Sequence, residues 1–155
     1  MARRLEREIQ QKAAFSGPEE EAFLNLQRTA SLLLQAVGRD LKPHRLTPAQ
    51  YNTLRILRGA APAALTCGEI GKRLVSPGPD VTRLLDRLLA RGLVERLRDA
   101  ADRRVVRARI TGRGRELLGR IDGTVAGSLR RLLGPLGRAR LRLLIELLER
   151  ARRQA

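Results

Sequence analysis

Apolar residues recur along this chain at spacings of three and four over most of its length, and at a spacing of two over one short stretch. The first long series is Phe23, Leu26, Ala30, Leu33, Val37 and Leu41, which marks one face of a helix. Ser16-Gly17-Pro18-Glu19 opens it. Ser16 can cap, Pro18 is tolerated in a first turn, and Glu19, Glu20 and Glu21 suit the positive end of the helix dipole. The helix should end near Leu41, before Pro43. Upstream, residues 1–15 either form a short helix with Leu5 and Ile9 on one side or fray.

Three further starts use the same device. Thr47-Pro48-Ala49-Gln50 is a capping box with Pro at the first helical position. Tyr51, Leu54 and Leu57 make the stripe of its helix, and Gly59 is expected to end it. Residues 59–65 read as an Ala/Pro connector. Thr66-Cys67-Gly68-Glu69 is a second capping box, opening a short helix with Ile70 and Leu74 inward. Ser76-Pro77-Gly78-Pro79 is expected to cap the next helix, over residues 77–91, with Val81, Leu84, Leu85, Leu88 and Leu89 apolar and a stop at Gly92.

The period then changes. Residues 93–98 and 104–110 are short and β-compatible. In the second, Val106, Ala108 and Ile110 alternate with Arg107 and Arg109, which predicts a half-buried strand with a basic outer face. The turn-rich tip Asp99-Ala100-Ala101-Asp102-Arg103 joins the two into a hairpin. Thr111 then caps a long helix with Leu118, Ile121, Val125, Leu129 and Leu132 on its stripe, broken at Gly134-Pro135-Leu136-Gly137. A last helix carries Leu141, Leu144, Leu148 and Ala151, while Leu143, Ile145 and Leu147 make it apolar around much of its circumference. One small domain rarely covers that much surface, so the flanking helices are expected to dimerise through Leu26, Leu141, Leu144 and Leu148.

Helix, short helix, turn, helix and β-hairpin in that order define a winged helix-turn-helix. The fold class is therefore mainly α with a small β-hairpin: a winged helix-turn-helix domain over residues 46–111, flanked by dimerisation helices over residues 1–45 and 112–155. With 155 residues the chain has room for one domain of ordinary size and a core that needs no staples.

Composition narrows the function. Lys and Arg number 32 against 16 Asp and Glu, a net charge of +16, and only Lys12, Lys42 and Lys72 are Lys. That suggests a polyanionic partner. The charge is spread, however, at +4 over residues 1–65, +5 over 66–110 and +7 over 111–155, so arrangement must decide what total charge does not. The longest charge-free runs are ten residues, far short of a membrane helix, and the N-terminal stretch has no apolar core of a secretory signal. These features predict a cytoplasmic protein without a membrane partner. One Cys and one His make neither a disulfide nor a structural zinc site, and three aromatics make no stacking platform, so no metal or cofactor is expected. No phosphate-cradling glycine loop and no nucleophile–base pair point to an enzyme.

The expected site is the outer face of the helix over residues 77–91, which presents Asp80, Thr82, Arg83, Asp86, Arg87 and Arg91 opposite its apolar side. A major groove admits one helix, and Arg can bond both acceptors of guanine. Arg103, at the hairpin tip, can enter a narrow, negative minor groove. At these residues the chain resembles the MarR (multiple antibiotic resistance regulator) family of transcription factors. The match runs from Leu46-Thr47-Pro48-Ala49-Gln50-Tyr51 through Pro79-Asp80-Val81-Thr82-Arg83-Leu84-Leu85-Asp86-Arg87-Leu88, then Arg91-Gly92-Leu93-Val94-Glu95-Arg96, the segment 99–104, and Ile110-Thr111-Gly112-Arg113-Gly114.

The resemblance implies a homodimer on pseudo-palindromic double-stranded DNA. It makes Thr82 and Arg83 the base readers and Arg103 the minor-groove residue. Asp80, Arg87, Arg104 and Arg107 complete the DNA-binding set, while Asp86 and Asp102 support the wing. Arg104 is expected to buttress the wing by pairing with Asp86 or Asp102. The wing carries Ala100 where the family often has Pro, and Pro77-Gly78-Pro79 is an unusual turn. The output is expected to be repression, released by a small aromatic or anionic effector. Cys67 is expected to be a small filler and His44 a loop or capping residue. The alternative is a basic nucleoid- or RNA-associated helical protein that binds without sequence preference.

Overall fold

A computed structural model describes residues 4–76, 78, 80–99, 102 and 104–153. The chain divides into two compact units, residues 1–36 and 37–155. The first holds α1 (Arg4–Glu8) and most of α2 (Pro18–Leu41). Leu5 and Phe15 are buried there, and Ser16 donates its backbone N–H and hydroxyl to Glu20 at the head of α2. Along α2, Phe23, Leu26, Leu32 and Leu34 stay exposed. Ile9, Leu24, Ala30 and Leu34 line an open groove together with Gln27, Arg28 and Ser31.

The second unit runs from the end of α2 through α3 (Pro48–Ala60), β1 (Leu65–Thr66), α4 (Cys67–Arg73), α5 (Val81–Leu89), β2 (Val94–Arg98), β3 (Val106–Ile110), α6 (Gly112–Leu133) and α7 (Gly137–Arg152). Thr47 and Thr66 close reciprocal capping boxes with Gln50 and Glu69, so two orphan donors are satisfied at each start. Tyr51, Leu54, Leu57, Ile70, Leu85 and Leu88 sink into one core with Leu93, Val94, Ala108 and Ile110 from the strands and Leu118 and Ile121 from α6.

The strands form a three-stranded antiparallel sheet in the order β1-β3-β2. Val94 faces Ile110 and Arg98 faces Val106 across the hairpin, while Leu65 faces Ala108 on the other edge. The expected hairpin is thus completed by a third strand, which lies in what reads by sequence as a connector. Two residues are too few to show a period. Ala108 and Ile110 point inward as expected, but Val106 is largely exposed.

Two boundaries move. α3 passes through Gly59 to Ala60, because a glycine in a helix costs about 1 kcal/mol and tertiary burial of the rest outweighs that. α5 begins at Val81 rather than four residues earlier. Gly78 has φ +116°, outside any helix, and Asp80 is the cap, accepting from the Arg83 N–H at 3.2 Å. Pro77 and Pro79 lie outside the described residues. The far end of α5 behaves as expected. Gly92, at φ +65°, lets its own N–H reach the Leu89 carbonyl while the Leu93 N–H reaches Leu88, a Schellman closure.

Thr111 ties the hairpin to α6. Its hydroxyl donates to the Gly92 carbonyl at 2.8 Å and accepts from the Gly114 N–H at 3.1 Å. Gly114 must be glycine: a Cβ there would run into the Leu93 carbonyl oxygen and the Ile110 side chain. Beyond it Leu117, Leu118, Ile121 and Val125 are buried, but no residue of α7 is. Leu141, Leu144 and Leu148 are half-buried, while Leu143, Ile145 and Leu147 each expose more than half of their surface.

Candidate nucleic-acid interface

The candidate interface is built by α5 and the β2–β3 hairpin. α5 buries Leu84, Leu85 and Leu88, which leaves Thr82, Arg83, Asp86 and Arg87 on its open side. The Arg83 side chain is 81% exposed. Asp80 holds it at both ends of the residue, through the backbone N–H and through an ion pair with Nε at 3.3 Å. Thr82 borders a cavity of about 260 Å³ whose wall is mostly apolar and includes Cys67, Leu85, Val106 and Ala108, with Arg96 and Arg107 at its edge.

The hairpin is organised by carboxylates. Asp102 accepts from the Arg104 backbone N–H at 3.0 Å and from its Nε at 3.1 Å, and those bonds hold the carboxyl below its ordinary pKa. The alternatives for Arg104 are thereby resolved, since Asp86 instead pairs with Arg96 on β2 and so links α5 to the wing. Arg107 donates to Asp99 and, at 3.3 Å, to Glu69 on α4. Its pKa is raised, first by the bond to Asp99, against the opposing effect of burial. Glu69 is held below its usual range by the Thr66 N–H and hydroxyl of its own capping box. Arg109 pairs with Glu95 at 2.8 Å, directly across the ladder.

The basic outer face expected on β3 is therefore largely neutralised. All six carboxylates between residues 66 and 110 (Glu69, Asp80, Asp86, Glu95, Asp99 and Asp102) are ion-paired, to Arg83, Arg96, Arg104, Arg107 and Arg109. Lys72, Arg73, Arg87 and Arg98 are exposed cations of this segment outside those pairs. Arg91, expected on the outer face of the recognition helix, turns back. Its Nη1 and Nη2 donate to the carbonyl oxygens of Arg45 and His44 at 2.7 and 2.9 Å. Arg103 lies outside the described residues, as do Ala100 and Ala101.

Among the described residues no group of His, Cys, Asp and Glu could hold a metal, and no helix is long and apolar enough to cross a membrane. What remains is a projecting helix with an exposed arginine beside a hairpin, the geometry of a winged-helix nucleic-acid reader. The family model described as MarR family matches residues 44–105. The HTH-type transcriptional regulator YkoM of Bacillus subtilis (strain 168) is 32% identical over 114 residues, covering 71% of this chain and 73% of that protein. A MarR transcription factor from Planctomyces limnophilus is 38% identical in sequence, and its crystal structure superposes with a TM-score of 0.68 over 88% of this chain and 98% of that one. BpsR of Bordetella bronchiseptica, whose structure concerns regulation of DNA binding by 6-hydroxynicotinic acid, shares the fold at 24% identity and a TM-score of 0.78, over 89% of this chain and 97% of that one.

The chain belongs to the MarR family. It is a winged-helix, DNA-binding transcription regulator and not an enzyme.

Proposed function

We propose that the chain works in the cytoplasm as a homodimer that binds a pseudo-palindromic operator in double-stranded DNA and represses transcription. The observation that carries this reading is the two-sided character of α5: one side is sunk in the core, and the other holds Arg83 almost fully exposed beside the wing. Thr82 and Arg83 read base edges in the major groove, and Asp80, the cap of α5 beside them, releases Arg83 from its ion pair as DNA binds. Arg87, Arg104 and Arg107 lie along the phosphates, Arg103 enters the minor groove, and Asp86 and Asp102 stiffen the wing. Residues 46–111 form the reading domain. Residues 1–45 and 112–155 dimerise, with Leu26, Leu141, Leu144 and Leu148 covered by the second copy. The exposed Phe23, Leu32, Leu34, Leu143, Ile145 and Leu147 support that assignment, because they form apolar surface that one chain leaves in water.

The effector is a small aromatic or anionic acid. The cavity beside Thr82 supports this, with an apolar wall for a ring and, among its lining residues, Arg96 and Arg107, whose present carboxylate partners Asp86, Asp99 and Glu69 an anionic effector would have to displace. The test is footprinting on the DNA beside the chain's own gene in excess random duplex. A protected two-fold site that survives competition supports the reading. Binding that the competitor abolishes would show a protein without sequence preference.

A further inference from the structure

Tyr51 and Arg58 stand seven residues apart on α3, on one side of the helix, and both reach a single carboxylate on α6. Tyr51 Oη donates to Asp122 Oδ1 at 2.6 Å, and Arg58 Nη1 donates to Oδ2 at 2.6 Å, so each carboxylate oxygen has its own donor. Arg55 stands over the Tyr51 ring at 5.8 Å and adds a second positive charge to the neighbourhood. Burial works against a charged Asp122, but the bonds from Tyr51 and Arg58 and the charges of Arg58 and Arg55 outweigh it, and its pKa is lowered. The same burial, followed by the bond to Asp122, pushes the Tyr51 hydroxyl up to about 12.

The location matters more than the strength. Asp122 lies near the middle of α6. Leu117, Leu118 and Ile121 on the N-terminal side are sunk in the core shared with α3, β2 and β3. On the C-terminal side Val125 still reaches that core and Leu129 packs against it, and beyond them the helix leads to the exposed α7. Apolar packing is non-directional and lets a helix roll or tilt at small cost. Two hydrogen bonds to the two oxygens of one carboxylate are directional, and they fix the rotation of α6 about its own axis. None of the three residues belongs to α5 or the wing.

We infer that Asp122, clamped by Tyr51 and Arg58, is a positioning residue: it sets the angle between the reading domain and the α6 shaft, and through it the separation of the two recognition helices in the dimer. The inference rests on the dimeric operator reading above. Its functional consequence is the centre-to-centre spacing of half-sites that the protein accepts.

The experiment starts from duplexes that the wild-type chain enriches from a random-sequence pool. One base pair is then added or removed at the centre of the enriched site, which moves a half-site by about 3.4 Å along the axis. Affinities are measured for the wild type, Asp122→Asn and Tyr51→Phe, on each spacing and on an isolated half-site. The wild type should prefer the enriched spacing by about tenfold or more, the scale of one charge-assisted hydrogen bond per protomer. Asp122→Asn should lose most of that preference with its half-site affinity unchanged, and Tyr51→Phe should fall between. A variant that folds and discriminates spacing as sharply as the wild type overturns the inference. So does equal loss on half-site and full site, which would place the damage inside the reading domain. If Asp122→Asn does not fold, the same comparison is decided on Tyr51→Phe. A wild type that enriches no two-fold sequence overturns the operator reading itself, and this inference with it.

Discussion

Arg83→Ala removes a side chain that touches nothing in the core. Arg83 is 81% exposed, and its partner Asp80 is 55% exposed, so the ion pair they form contributes about 0–1 kcal/mol. Ala is at least as good a helix former as Arg, so the unfolding free energy should change by no more than about 0.5 kcal/mol. Binding is different. A bidentate Arg–guanine contact is worth about 1–3 kcal/mol, less whatever Arg83 gives up when it leaves Asp80. With roughly 1–2 kcal/mol net at each of two half-sites, the dimer should lose about 2–4 kcal/mol, or ~30- to 1,000-fold in affinity. Asp80→Asn is the informative companion. Asn caps a helix as well as Asp does, so α5 keeps its start, while Arg83 is freed from its ion pair. Affinity should stay level or tighten. The assay is fluorescence anisotropy on the enriched operator and on versions with each contacted base pair exchanged. Arg83→Ala should flatten the penalty at one position per half-site and leave the others unchanged. An equal loss on every sequence, with the salt slope reduced by about one unit per protomer, would show a phosphate anchor and refute the assignment.

Leu148→Glu should put a charge into the proposed α7 interface. Sedimentation equilibrium should then find a monomer with operator binding lost, whereas an intact dimer would move the interface elsewhere. Gly114→Ala should destabilise the fold by at least about 1–3 kcal/mol in denaturant unfolding, because the Leu93 carbonyl blocks the new methyl and backbone cannot yield as a side chain does. Tyr51 titrates at about 12 in the folded chain against an ordinary 10.0, so it contributes stability that is complete below pH 10 and is lost as the pH rises toward 12. Tyr51→Phe should flatten that alkaline limb of the melting temperature, and an unchanged limb would assign it to other groups.

The helix starts were legible because Thr47, Thr66 and Thr111 announce them locally, and the structure uses each of the three hydroxyls as a cap. The end of α5 was legible for the same reason, since only a residue that tolerates positive φ makes the Schellman closure at Gly92. The start of α5 was not. Two prolines and a serine all fit a first turn, and nothing local says that Asp80 outcompetes them. Of the candidate site, the outer face of α5 could be read from its helical period, but Arg91 could not. Period gives the direction of a Cβ, whereas a guanidinium on a long stem can fold back onto carbonyls 46 and 47 residues away. The pairing of Tyr51 and Arg58 with Asp122, or of Arg107 with Glu69, carries no periodic signature at all. The partner of Glu95 depends on the register: a tip centred on Ala101 would set it opposite Arg107, whereas the hairpin adopts the register that sets it opposite Arg109.

The pairing of every carboxylate between residues 66 and 110 changes what ionic strength can do to this protein. A guanidinium already matched by an internal carboxylate carries little condensed-ion exchange of its own when DNA arrives. Of the eleven cations in that segment, five are committed to carboxylates and Arg91 to backbone carbonyls, which leaves Lys72, Arg73, Arg87 and Arg98 among the described residues. At about 0.9 ion released per neutralised phosphate, those four supply a salt exponent of about four per protomer, and Arg104 and Arg107 add less than unpaired arginines would because each must first give up its carboxylate. In a chain of +16, this segment should therefore hold arbitrary DNA less strongly than its eleven cations suggest. On the operator reading proposed above, the contrast between target and other DNA then widens because loose binding is held weak, without any further contact to the target.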